Sequence, residues 1–215
     1  VTTQYTAVAA VPEAWHTNCV LDGVVYPTRT RAPRREVTGL TAGELLEGLT
    51  QRQYELMNAV HEAGHAVAIL AAGGNVHRAR LSPDDPDVGG AVEGCGLADG
   101  PAYAAFAGAG ERAADRWLRE AGLWTPGRAT AVEIGARTDR RRLLRLNPHI
   151  GFGAEGRQDY RTVHDVADDV LDRHWAAVTV VAAALVDRHH LDGGAVAALA
   201  GLPNGPHDNH SGEAP

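Results

Sequence analysis

The segment that most constrains this chain is residues 52–74, RQYELMNAVHEAGHAVAILAAGG, a proline-free run in which Leu56, Ala59, Val60, Ala63, Val67 and Leu70 recur at threes and fours. That periodicity predicts a helix with one apolar face, closed by Gly73-Gly74, because glycine enters the left-handed conformation without a Cβ penalty. His61 and His65 lie four apart on this helix, so both imidazoles share a face and can reach one metal ion. Glu62 sits roughly a third of a turn round, close enough to act on a metal-bound water without being a ligand. An H-E-x-x-H string arises by chance only about 0.03 times in a chain of this composition. Gly64 costs about 1 kcal/mol relative to alanine in a helix interior, which predicts that another backbone packs closely against it.

The chain has 215 residues, 44% hydrophobic and 22% charged, the composition of a globular protein with one full core. Its net charge of -7 and the lack of a long basic run argue against nucleic-acid binding; Arg137–Arg145 reads as the exposed face of a short helix. Lysine is absent, all 20 basic residues being arginine, which excludes Schiff-base and lysine general-base chemistry. Cys19 and Cys95 form no C-x-x-C pair, so neither a disulfide framework nor a cysteine-built zinc site is expected. The first residues carry no signal-peptide pattern, and Val178–Val186 is too short to span a bilayer, so a cytoplasmic protein without membrane attachment is expected.

Residues 1–40 read as an N-terminal extension, with a hairpin around Asn18–Tyr26 turning at Asp22-Gly23. Thr41 and Glu44 stand in capping-box spacing before a short helix, Ala42–Leu49. After the metal-motif helix come two short strands, Val76–Leu81 and Gly90–Gly94, and an amphipathic helix, Pro101–Ala121, with Phe106, Ala113, Trp117 and Leu118 as core candidates. A connection, Gly122–Arg128, leads to a helix beginning near Thr138. A long helix over 159–189 and a short one, Gly193–Leu199, precede a polar tail, 202–215, expected to be disordered. The expected fold is mainly α with a small β-sheet, α+β, its central unit running over 41–201.

A catalytic zinc needs a third protein ligand and an open position. The metzincin spacing would require histidines where Ala68 and Ala71 stand, which excludes that class. On spacing alone Glu93, Glu111, Asp115, Glu133, Asp139 and His149 all remain open.

Beyond its five-residue motif the chain resembles the peptidase domain of the FtsH-type ATP-dependent zinc metalloproteases, over about residues 52–201. HEAGHAVAIL looks like that family's metal helix, VHRARLSP like its following strand and FAGAGERAADRWL like its next helix. GARTDRRRLL is similar to its Gly-Ala-Ser-x-Asp helix start, and ALVDRHHLDGGAVAALAG to its closing segment. The resemblance implies a zincin-like helical metalloprotease domain and selects Asp139 as third zinc ligand beside His61 and His65, with Glu62 as the catalytic base. A carboxylate near a helix start is also favoured by the helix dipole. The chain departs from the family in having no transmembrane helices, no G-x-x-x-x-G-K-[ST] loop and GERAAD in place of a more acidic pattern.

The expected activity is therefore that of a zinc metalloendopeptidase acting without ATP on peptides or unfolded proteins. The family implies a ring-shaped hexamer, and an oligomer is compatible with this chain although the ATPase ring is missing. Two other classes fit the same residues: a zinc-holding binding or regulatory protein derived from a peptidase, and a metal-dependent enzyme acting on a small molecule.

Overall fold

The computed structural model describes residues 14–37, 45–82, 89–97, 100–153 and 158–207. Near the N-terminus, β1 (His16–Leu21) and β2 (Val24–Thr28) pair antiparallel. Asp22 and Gly23, at φ 50° and 76°, make the two-residue turn whose twist matches the flanking strands. The hairpin does not stand apart: Cys19 and Leu21 join Met57, Leu118, Val132 and Ile134 in one apolar cluster.

The metal-motif helix, α1 (Gln51–Ala71), starts in a capping box between Thr50 and Gln53. It ends in a Schellman motif, with Gly73 N–H on Leu70 O and Gly74 N–H on Ile69 O, both at 2.9 Å, and Gly73 at φ 78°. Thr41 and Glu44 lie outside the described residues. The helix expected through Leu49 is not formed over the described part; Leu45 and Leu46 turn instead into the hairpin's apolar cluster, and Gly48 at φ 81° breaks the helical path.

Next follow β3 (Asn75–Leu81) and β4 (Gly90–Cys95), antiparallel as expected. Beyond them come α2 (Pro101–Glu120), α3 (Pro126–Gly135) and α4 (Arg137–Leu146). The connection over Gly122–Arg128 is shorter than expected, because Thr125 caps a helix with Pro126 at its first position. A minimal parallel pair, β5 (Ile150–Gly151) and β6 (Gln158–Asp159), leads into α5 (Arg161–Arg188), which kinks at His174. His189, in the left-handed region at φ 57°, caps it and turns the chain into β7 (His190–Asp192) and α6 (Gly193–Ala200). The second sheet has the order β4-β3-β7.

This is a mainly helical α+β fold. The main core gathers Val67 and Leu70 of α1, Val76 and Ala79 of β3, Val178, Val181 and Leu185 of α5 and Val196 of α6. Gly64 lies where α1 crosses α2, as its place in the motif predicts: a Cβ there would stand 2.7 Å from Ala109 O and 2.9 Å from Ala113 Cβ. Residues 202–207, expected to be too polar to pack, dock on the sheet instead. Asn204 Oδ1 accepts from Val76 N–H at 2.8 Å and Asn75 Nδ2 donates to Gly205 O at 2.6 Å, so polar side chains satisfy backbone groups that the sheet leaves open. The remainder of that tail, 208–215, lies outside the described residues. Among the described residues no helix is long and apolar enough to cross a membrane.

Candidate metal centre

Three side chains from two helices converge on one point. His61 and His65 project from the same face of α1, and Asp139 comes from the first turn of α4, where Ala136 serves both as C-cap of α3 and N-cap of α4. His61 Nε2 and His65 Nε2 are 3.0 Å apart, and Asp139 Oδ2 lies 3.6 Å from the first and 3.4 Å from the second. Corners of a tetrahedron with metal–ligand distances of about 2.0–2.2 Å lie roughly 3.3–3.6 Å apart. Both Asp139 separations lie in that range and the two imidazole nitrogens stand somewhat closer, so the group has about the size, and the N, N, O donor set, to hold a metal ion.

The surroundings fit that role. His65 Nδ1–H donates to Phe106 O of α2 at 2.7 Å, which fixes the ring and turns Nε2 toward the other two donors. Gly110 of α2 faces the imidazoles: a Cβ there would overlap His65 Nε2 and stand 2.5 Å from His61 Nε2. The glycine thus leaves the space that an ion needs. His61 and Asp139 each keep 18% side-chain exposure, so the group is reached from outside while His65 is nearly enclosed.

Electrostatics bind the three side chains together. Burial works against charge on His65, but Asp139, Glu62 and the Phe106 carbonyl outweigh it and raise its pKa to about 9. Burial likewise opposes ionisation of Asp139, yet His65 and His61 hold its carboxyl well below the usual carboxylate range. Without metal, His65 and Asp139 thus form an ion pair at neutral pH, and an entering cation displaces the Nε2 proton.

Glu62 is buried beside this group, and β4 closes over it: a Cβ at Gly90 would stand 2.6 Å from Glu62 Cγ. Burial pushes the Glu62 carboxyl above its ordinary value, partly offset by His61 and His65. His61, Glu62, His65 and Asp139 all open into one cleft of about 370 Å³, whose walls include Gly90 and Val92 of β4, Tyr54 of α1 and Val132 of α3. A larger cavity of about 520 Å³ lies beside α2, but its carboxylates are committed to arginine and histidine neighbours and none joins the metal group.

The other ligands left open by spacing are engaged elsewhere or point away. Glu111 Oε2 takes Arg140 Nε at 2.8 Å and its Oε1 lies 2.6 Å from His164 Nε2. Glu133 receives Arg140 Nη2 and the Arg29 backbone N–H, at 2.9 and 2.8 Å. Asp115 pairs with Arg119 at 2.9 Å, Glu93 pairs with Arg78 on the surface at 2.7 Å, and His149 is exposed.

Sequence reading missed Gly110, Phe106 and the cleft arginines, Arg137 and Arg142. Gly110 carried the signal that Gly64 did, a glycine in a helix interior. The run Arg137–Arg145 has the pattern of one exposed face, whereas Arg140 within it is buried between two carboxylates. No protein-family model matches the chain, and no curated protein matches it.

Proposed function

We propose that this chain is a zinc-dependent peptidase, with the site residues of the FtsH-type peptidase domain it resembles, acting on extended peptide segments. The convergence of two imidazoles, one carboxylate and a buried, non-ligating glutamate in an open cleft carries the reading. A purely structural metal site closes its fourth position and has no use for such a glutamate. The donor set of His61, His65 and Asp139 suits zinc, which prefers nitrogen, sulfur and carboxylate ligands in four-coordinate geometry. When bound, zinc supplies a Lewis acid that lowers the pKa of water to about 7 and polarises a carbonyl.

The chain's own residues supply the rest. Glu62 accepts a proton at its carboxylate oxygens during attack on the substrate carbonyl and returns it to the leaving amine. The Phe106 carbonyl keeps the His65 ring in place throughout. Within the described residues β4 pairs only with β3, so it is an edge strand running along the cleft. An extended peptide can add to that edge through backbone hydrogen bonds, which would let an unfolded segment bind along the cleft.

The test is Glu62→Gln. Zinc stoichiometry measured by atomic absorption should stay at one per chain, while cleavage of casein falls by at least a hundredfold. Equal cleavage by both proteins would refute the role of Glu62. Bound zinc without cleavage by either would favour the non-hydrolytic reading.

A further inference from the structure

The cleft that holds the metal group also holds two arginines that chemistry at the metal does not require. Arg137 opens α4 and Arg142 follows Asp139 by three residues, which places it on the same face of the helix about one turn along. Neither meets a carboxylate among the described residues. Arg137 makes one long bond, 3.4 Å, to the Ile134 carbonyl of the preceding turn. Arg142 is exposed and makes no hydrogen bond or ion pair among the described residues.

Arg141 and Arg145 of α4 also meet no carboxylate among the described residues, but they do not line the cleft, and the arginines of α2 differ from all four. Arg112, Arg116 and Arg119 of α2 each have a carboxylate oxygen within 2.9 Å, and Arg140 is gripped by two carboxylates. The acidic side chains of the cleft are Glu62 and Asp139, and both are committed to the metal group and its chemistry. With a divalent cation in place, two guanidiniums outweigh what remains of the negative charge. The cleft is then positive within a chain whose net charge is -7.

The geometry points to Arg142, assisted by Arg137, as a subsite for a carboxylate on the substrate, next to the bond that is cleaved. This rests on the peptidase reading above and names its substrate class: peptides with an acidic group within about two residues of the scissile bond. One helical turn separates Arg142 from Asp139, and an extended chain advances about 3.3–3.6 Å per residue, which sets that spacing. Guanidinium is the side chain best suited to take a carboxylate through two parallel hydrogen bonds. The carboxylate has two sources, an Asp or Glu side chain or a free C-terminus.

Eight-residue fluorogenic peptides separate them, carrying Glu, Gln or Lys at each position flanking a single cleavable bond and ending in either a free acid or an amide. For the wild-type zinc protein kcat/KM should favour Glu over Gln about tenfold or more at one position within two residues of the bond. In Arg142→Gln the ratio should fall to near one, and in Arg142→Glu a Lys peptide should overtake the Glu peptide. A preference that follows the free acid instead of the side chain would identify the C-terminus as the source.

A second readout does not depend on turnover. Fluorescence anisotropy of the same peptides, labelled, on zinc-loaded Glu62→Gln should show the same Glu preference, lost when Arg142→Gln is added. Arg142-dependent binding without cleavage by the wild type would defeat the peptidase reading and leave the subsite standing. Equal Glu and Gln ratios with and without Arg142, in cleavage and in binding, would overturn the subsite.

Discussion

At the scale of single residues, the most demanding position is a glycine. Gly110 lies in the interior of α2, where alanine would add about 1 kcal/mol of helix stability. Its Cβ would nevertheless intrude between the two imidazole nitrogens of the metal group. Gly110→Ala should therefore lose stoichiometric zinc, measured by atomic absorption after dialysis, while its far-ultraviolet circular dichroism stays that of a folded helical protein. Retention of tightly bound zinc would show that the ion does not sit where the three donors converge. The contrast with His61, Glu62 and His65 explains what a sequence discloses. Those three are legible because an i, i+4 spacing is local and fixes a shared helix face whatever the rest of the chain does. Asp139 stands more than seventy residues downstream, and spacing alone left it among six candidates; only a family resemblance singled it out. Gly110 and Arg142 gain their meaning from what packs beside them, which no local pattern encodes.

At the scale of elements, the placing of Asp139 depends on how α4 is held, and that falls to a buried charged cluster. Arg140 Nε and Nη2 donate to Glu111 Oε2 of α2 at 2.8 and 2.5 Å, Nη2 also reaches Glu133 of α3, and Nη1 donates to Pro27 O of the hairpin at 2.9 Å. One guanidinium thus ties α2, α3, α4 and the N-terminal hairpin together directly behind the metal group. Burial alone would push the Glu111 carboxyl up, yet Arg140 and His164 hold it at about 2. Its folded value is depressed, so its contribution is fully present above about pH 4.5 and is lost as the pH falls toward 2, an effect of about 3 kcal/mol. Urea midpoints across that range should show the gap between wild type and Glu111→Gln narrowing by about this amount, whereas a constant gap would show that Glu111 is not paired in the folded state. Helices with apolar periodicity, α1, α2 and α5, and the Asp-Gly hairpin could be read from the sequence. The cluster could not, because its four polar side chains, Arg140, Glu111, Glu133 and His164, come from four segments and each reads alone as surface. The helix α3 was hidden differently: Thr125-Pro126 is a good helix start, but Gly127 beside the proline made the stretch look like a connection.

At the scale of the whole molecule, a metal ion held at the proposed site would be linked to the fold through the proton that the site must give up. An ion that binds only the folded chain stabilises it by about 4 kcal/mol at a free concentration a thousandfold above its dissociation constant. For a chain of this size that corresponds to a rise in Tm of roughly 8–16 °C. The sign of its pH dependence follows from His65. In the metal-free protein its pKa is raised to about 9, so the His65–Asp139 pair contributes stability that is fully present below about pH 6.5 and is lost as the pH rises through 9. Metal binding needs His65 Nε2 free of its proton, and it therefore weakens about tenfold for each unit below 9. The metal-free fold loses stability with rising pH over the interval in which the metal-bound fold does not. The Tm difference between zinc-loaded and chelator-treated protein, at free zinc held constant by a metal buffer, should widen by roughly 3–4 °C per unit between pH 6.5 and 8.5. Titration calorimetry at pH 7 in buffers of different ionisation enthalpy should count about one proton released per zinc bound. A Tm difference that is flat with pH, together with no proton released, would place the ion on donors other than His61, His65 and Asp139.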